Sequence, residues 1–345
     1  MREAHSSHSA TARQEVGGKT TVARYLHGVS TPRPAVGHLL TLAAAGVFAI
    51  NGTVSTLALQ AGIAPTRLTA LRCTGAAIAL LLALAVVAPR RLRLRRGDVP
   101  LVALLGVVGI AATQFLFYTA IDGRLPVGIA LVFEMTAPVF IALYVWLVRR
   151  EQVRNRLWWA LALSLSGLVL VAEVWAGGGS LDPLGVAVAL TAAICLATYY
   201  LVGERSAADL DPMAVTAWSF AAAAVFWAVA APWWRFDAGV LAERVPVSLG
   251  SAQLPLWVLV GWIAVLGAAL PFWLSLAALR HLPPTTAGIV ATAEPVLAAI
   301  VAWLWVEQAL TPWQVAGGAV VLAGIVLAQT ARAAAPAPVP ETVPS

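Results

Sequence analysis

Ten runs of apolar residues, each long enough to cross a bilayer as a helix, divide this chain between Val36 and Thr330. They lie near 36–58, 66–88, 99–119, 126–147, 157–175, 183–202, 213–231, 255–277, 283–305 and 313–330. A hydrocarbon core of ~30 Å needs about 20 apolar residues per helix, and backbone groups inside it must be satisfied within the segment, which favours helices. The expected fold class is therefore an all-α polytopic membrane protein with ten transmembrane helices. Composition agrees, with 60% hydrophobic residues, 11% charged residues and a mean hydropathy of +0.84. The loops are short, the longest near 232–254, so no soluble domain fits between the spans.

Residues 1–35 are polar and lack the apolar core of a signal peptide, and residues 331–345 are rich in Pro and Ala. Both read as disordered cytoplasmic tails. The net charge of +6 is not a nucleic-acid signal, because the 22 Lys and Arg are distributed by side of the membrane. With the amino terminus inside, about 17 basic residues fall in cytoplasmic segments, chiefly the tail, "RRLRLRR" (90–96) and "RREQVRNR" (149–156). The outer loops hold only Arg124, Arg235 and Arg244. That asymmetry places both termini in the cytoplasm and gives the basic runs a second role as contacts for anionic lipid.

An ungapped internal repeat runs through the chain at a shift of 157 residues. Phe115/Phe272, Leu125/Leu282, Pro126/Pro283, Pro138/Pro295, Trp146/Trp303 and Gly167/Gly324 coincide. Upstream, "APTRLTA" (64–70) resembles "DPMAVTA" (211–217) at a shift of 147, the difference falling in the long loop. Residues 36–175 and 183–330 thus read as two five-helix copies of one unit. Because five is odd, the second copy enters the membrane from the opposite side, and a site is expected near the midplane between the halves.

This plan resembles the EamA-type permeases of the drug/metabolite transporter superfamily. "LFYTAIDGRLPVGIALVFEMTAPVFIAL" (116–143), "LTALR" (68–72) and "ALRHLPPTTAGIVATAEPVLAA" (278–299) are similar to its inner-membrane threonine/homoserine exporter subgroup. The resemblance implies export of a small metabolite, such as a neutral amino acid, across a bacterial plasma membrane by alternating access. Near-total use of Arg over Lys fits a GC-rich bacterial genome. Many family members carry Trp-Gly in helix 1, where this chain has Ile50-Asn51-Gly52.

Intramembrane charge marks the candidate site. A carboxylate near a helix centre costs ~2.5–3.5 kcal/mol on insertion scales, so Glu134 and Glu294 must face the bundle interior, a watery cavity or a proton. They stand four and one residues before the shared prolines, an offset of three that puts both on nearly the same face of equivalent helices. The alternative is a carboxylate hydrogen-bonded within the packing. Pro138 and Pro295 remove one backbone hydrogen bond each and kink their helices. Arg72 lies too deep in helix 2 to snorkel, and calls for a carboxylate or a ligand's carboxyl group. With Asn51, Gln114, Tyr118 and Thr136 these residues supply what a zwitterion needs, and protons are a candidate coupling ion. Glu173, at the end of helix 5, reads as interfacial.

Other classes find little support. The histidines fall at 5, 8, 27, 38 and 281, with no metal-ligand pair on any helix, and no Gly-rich phosphate loop occurs. No metal, cofactor or enzymatic activity is expected. Cys73 and Cys195 lie inside helices and read as packing residues. Trp146, Trp158, Trp159, Trp303, Trp305 and Trp313 form an aromatic belt at helix ends. Gly317, Gly318 and Gly324 allow helix 10 to approach a neighbour closely, within the fold or in a homodimer. The competing cargoes are a drug-like cation, a nucleotide sugar or a lipid-linked sugar.

Overall fold

Helix starts follow the sequence signals for them. Asp182-Pro183 and Asp211-Pro212 each place an acceptor at the N-cap and a proline where no backbone donor is needed. The Asp182 carboxylate accepts from the Leu184 amide at 3.1 Å, and that of Asp211 from Met213 and Ala214, each at 3.1 Å. A computed structural model describes residues 33–122, 124–176, 181–232, 238–246, 253–306 and 310–330, with a body that begins at Pro34. The readings of the two tails fall outside these residues, as does the side chain of Trp305.

The architecture is all-α. In chain order it comprises α1 (Pro34–Gln60), α2 (Pro65–Val87), α3 (Val99–Leu104), a π-helical stretch (Leu105–Ala112), α4 (Thr113–Ile121), α5 (Val127–Glu134), α6 (Ala137–Leu147) and α7 (Asn155–Val171). There follow α8 (Pro183–Asp209), α9 (Pro212–Ala230), α10 (Leu256–Ala264), a second π-helical stretch (Val265–Ala269), α11 (Leu270–Ala278), α12 (Pro284–Ala291), α13 (Ala293–Val306) and α14 (Pro312–Thr330). The long loop carries a short antiparallel ribbon, Arg244–Pro246 against Gln253–Pro255. Among the described residues nine continuous helical stretches are long and apolar enough to span a membrane. The shorter apolar helix is α7, with 17 residues.

That helix ends at Val171 rather than near 175. Glu173 takes φ 44°, in the left-handed region that stops an α-helix of L-residues. Its carboxylate accepts a hydrogen bond from Thr311 Oγ1 at 2.5 Å, tying the end of α7 to the loop before α14. Seventeen residues rise about 26 Å, a length that suits a thin or slightly compressed hydrocarbon layer.

The packing is reciprocal. Helix α2 lies against α9, and α7 against α14, each element meeting its own repeat counterpart. Likewise α1 packs on α11 and α13, while α8 packs on α4, α5 and α6. The α7–α14 seam is built from glycines. A Cβ added at Gly167 would lie 2.7 Å from the Gly317 carbonyl oxygen, and one at Gly317 2.6 Å from the Gly167 carbonyl oxygen. Gly324 likewise faces Ser164 Oγ at 2.5 Å. The small residues of α14 are thus spent inside the chain. Elsewhere the bundle turns large apolar side chains outward, with Val86 82% and Val229 79% exposed, a surface suited to lipid rather than water.

Ion pairs among the described residues join the two halves at their rims. Arg124 meets Asp182 at 2.9 Å, and at the other end Arg91 meets Asp211 at 3.1 Å and Arg149 meets Glu204 at 2.6 Å. The hydrogen bond from Arg124, followed by that from the Leu184 amide, holds the Asp182 carboxyl below the ordinary carboxylate range.

Candidate functional site

Both spans that carry the candidate glutamates are broken in mid-membrane. Helix α5 ends at Glu134 and α6 starts at Ala137, while α12 ends at Ala291 and α13 starts at Ala293. The local cause is the proline that follows, because Pro138 cannot donate to the Glu134 carbonyl nor Pro295 to that of Ala291. Threonines close the turns: Thr136 Oγ1 donates to the Phe133 carbonyl and Thr292 Oγ1 to that of Ile289, both at 2.6 Å. The carboxylates therefore sit on opposite sides of equivalent breaks, Glu134 just before one and Glu294 just after the other.

Between the halves lies a cavity of about 520 Å³, lined by Glu134, Glu294, Asn51, Gln114 and Tyr118 among others. Glu134 is 6% exposed, and neither carboxylate forms a salt bridge among the described residues. The cavity runs along α1 from Thr41 to Gln60. Gln60 is exposed, whereas Thr41, Ala44 and Ala45 are each 2% exposed, so the opening is at the Gln60 end. Thr136, the remaining polar candidate, is spent on the helix break and is not part of the wall.

Arg72 is 1% exposed and stands behind the wall. Its Nη1 donates to Gln114 Oε1 at 2.7 Å and to the Tyr118 hydroxyl at 2.6 Å, and its Nη2 to the Gly267 carbonyl at 2.7 Å. The face of Phe272 is 5.9 Å from its guanidinium carbon. Among the described residues no carboxylate pairs with it; Gln114 and Tyr118 of α4 take its Nη1 instead. The Gly267 carbonyl cannot accept an α-helical bond from residue 271, because that residue is Pro271. Gly267 itself is required, since a Cβ there would collide with the Asn51 side chain. The π-helical stretch is thus pinned to α1 by contact and to α2 by Arg72.

From Arg72 a hydrogen-bonded chain runs into the cavity. The Tyr118 hydroxyl lies 3.1 Å from Ser55 Oγ, and Ser55 Oγ donates to Asn51 Oδ1 at 3.4 Å. The Tyr118 oxygen accepts from Arg72, and either hydroxyl of the Tyr118–Ser55 pair can donate to the other.

The wall contains residues that the sequence analysis did not single out: Ser55, Tyr199, Tyr200 and Ser275. The repeat held the signal for three of them. The shift of 147 carries Gly52 and Thr53 onto Tyr199 and Tyr200, and the shift of 157 carries Tyr118 onto Ser275. Tyr199 donates from its hydroxyl to the Phe272 carbonyl at 2.8 Å.

Comparison with known proteins gives a consistent result. The EamA-like transporter family matches twice, at residues 35–172 and 183–330. The chain is 32% identical over 258 residues to the threonine/homoserine exporter RhtA of Escherichia coli K12, covering 74% of this chain and 80% of the exporter. It is 27% identical over 294 residues to the uncharacterized transporter YwfM of Bacillus subtilis, covering 85% and 93%. A crystal structure superposes with a TM-score of 0.70 at 18% identity, covering 87% of this chain and 98% of the other, which supports the fold.

Proposed function

Because the chain belongs to the EamA-like transporter family, we infer that its central cavity is the translocation site for a small neutral amino acid of the threonine or homoserine kind, moved outward by alternating access. The protein is a multi-pass membrane transporter of the drug/metabolite type, not an enzyme. The finer reading rests on the likeness to the threonine/homoserine exporter and on one geometric observation. One cavity brings two carboxylates, without an ion pair among the described residues, together with a wall of neutral polar groups backed by a buried guanidinium.

That arrangement separates charge as a zwitterion does. The ligand's ammonium group goes to Glu134 or Glu294. Its carboxylate goes to the Asn51, Gln114 and Tyr118 side, where the positive field of Arg72 acts through groups it holds in place. A volume of about 520 Å³ lies within the ~300–1,000 Å³ of small-molecule sites. Glu294 carries the coupling proton in this reading, and Glu134 holds the ligand.

The chain crosses an inner membrane ten times, with α7 as a full span and both termini in the cytoplasm. The two five-helix units, 36–175 and 183–330, are inverted copies, a relation supported by the reciprocal packing of their helices. In that orientation the Gln60 end faces outward, which in this reading is the side of release.

Counterflow in proteoliposomes tests the cargo. Vesicles loaded with unlabelled threonine should accumulate labelled threonine, and homoserine should compete. If an organic cation or a nucleotide sugar exchanges while amino acids do not, the cargo assignment fails and the family membership stands.

A further inference from the structure

A second cavity lies on the outside of the bundle, away from the translocation path. It is a groove of about 790 Å³ between the span that starts at Val99 and helix α9, and every lining residue is apolar. Its floor is formed where Gly106 lets the two helices touch: a Cβ there would collide with the Ser219 carbonyl and lie 3.0 Å from Ala222 Cβ. From Val99 to Val107 the groove follows the helix for about 12 Å. A dry apolar trough in the membrane is filled by hydrocarbon, so the question is which lipid the site selects.

The rim answers it. Leu92 and Leu94 close one end of the groove, and the backbone at Arg93 and Arg95 is extended, so side chains alternate. Leucines are half-buried in the groove while Arg93 and Arg95 are exposed beside it, with exposed Arg96 following. The strip is fixed to α9, because Trp218 Nε1 donates to the Leu92 carbonyl at 3.0 Å. Arg91 is engaged by Asp211. Arg93, Arg95 and Arg96 form no ion pair among the described residues. These three guanidinium groups, without an ion pair among the described residues, stand at the mouth of an acyl-sized trough. We propose that this groove is a binding site for an anionic phospholipid, with one acyl chain between the span 99–107 and α9 and the headgroup phosphate on Arg93, Arg95 and Arg96. Guanidinium groups bind phosphate oxygens bidentately, whereas a zwitterionic headgroup brings its own cation against them.

The test is native mass spectrometry of the delipidated transporter titrated with phosphatidylglycerol and with phosphatidylcholine of the same acyl chains. Phosphatidylglycerol should bind in preference. Each surface arginine contributes about a factor of five, so the triple variant Arg93→Gln/Arg95→Gln/Arg96→Gln should bind it on the order of 100-fold more weakly. Ala103→Trp fills the groove and should weaken binding with all arginines present. Excess glycerol phosphate, which lacks the tail, should not compete. Counterflow by each variant reports that it is folded, and should Ala103→Trp fail there, the lipid comparison and the arginine variant still decide. Equal binding of the two lipids, retention of affinity by the folded variants, displacement by glycerol phosphate, or a dimer that Ala103→Trp dissociates would each overturn the proposal.

Discussion

Arg72 serves three neutral acceptors, and each would be stranded without it. The Gly267 carbonyl is one of them, and Pro271 has no amide to replace the guanidinium. A buried acceptor left unpaired costs ~1–3 kcal/mol, which is about five- to 150-fold in affinity if it falls on the ligand-bound state. Arg72→Gln should therefore lose most counterflow, and Arg72→Lys should keep part of it, since an ammonium preserves the charge but not the fork. The carboxylates should separate in the same assay. Glu294→Gln should abolish flux driven by a pH gradient while exchange at equal pH persists, and Glu134→Gln should mainly raise the half-saturating threonine concentration. If all four variants transport with wild-type pH dependence and affinity, these groups are packing residues and the site assignment is wrong.

At the scale of elements, the glycine seam between α7 and α14 is the strictest constraint. Its backbones approach so closely that a side chain on Gly317 meets peptide atoms, which cannot rotate away as a flexible side chain can. Overpacking typically costs 1–3 kcal/mol, so Gly317→Val should lower the thermal midpoint in detergent. Gly52, where nothing lies within 4 Å of an added Cβ, is the control, and Gly52→Ala should change the midpoint little. Equal losses would mean that the seam is loose. Most of these elements were legible as hydropathy runs, because lipid demands a long apolar helix wherever one crosses. The breaks beside Glu134 and Glu294 were legible as prolines, but the π-helical stretches, which pack against the other half, were not. The lining of the candidate site was partly legible. Intramembrane charge picked out Glu134, Glu294 and Arg72, and polarity picked out Asn51, Gln114 and Tyr118. Arg72's recess behind Gln114 and Tyr118 depends on the packing of α2 against α4 and the second π-helical stretch, which no single run of residues encodes. The repeats locate it all the same: Arg72, Gln114 and Tyr118 align with Ser219, Pro271 and Ser275. The Arg72 cluster lies where the copies differ.

The whole molecule carries one contact twice. At the start of α1, a Cβ on Gly37 would lie 2.5 Å from Leu282 Cγ and 2.9 Å from His281 Cβ. At the start of α8, one on Gly185 would lie 2.9 Å from Leu125 Cγ and 3.1 Å from Arg124 Cβ. Arg124 and Leu125 are the repeat counterparts of His281 and Leu282, so each end of the bundle is closed by the same kind of joint. Rocking of one half against the other would open the cavity alternately while these joints hold the ends together. An amino acid carried through this cavity should reach it, in this state, from the Gln60 end. Ser55 lies on the cavity wall and is 2% exposed, which makes it a reporter that only something inside the cavity can shield. The decisive measurement is the rate at which an impermeant thiol reagent labels Ser55→Cys in a background with Cys73 and Cys195 replaced by Ala, with and without threonine. Labelling from the outside should proceed and should be slowed by threonine at the concentrations that support counterflow. Labelling that transported threonine leaves unchanged would put the amino acid outside this cavity.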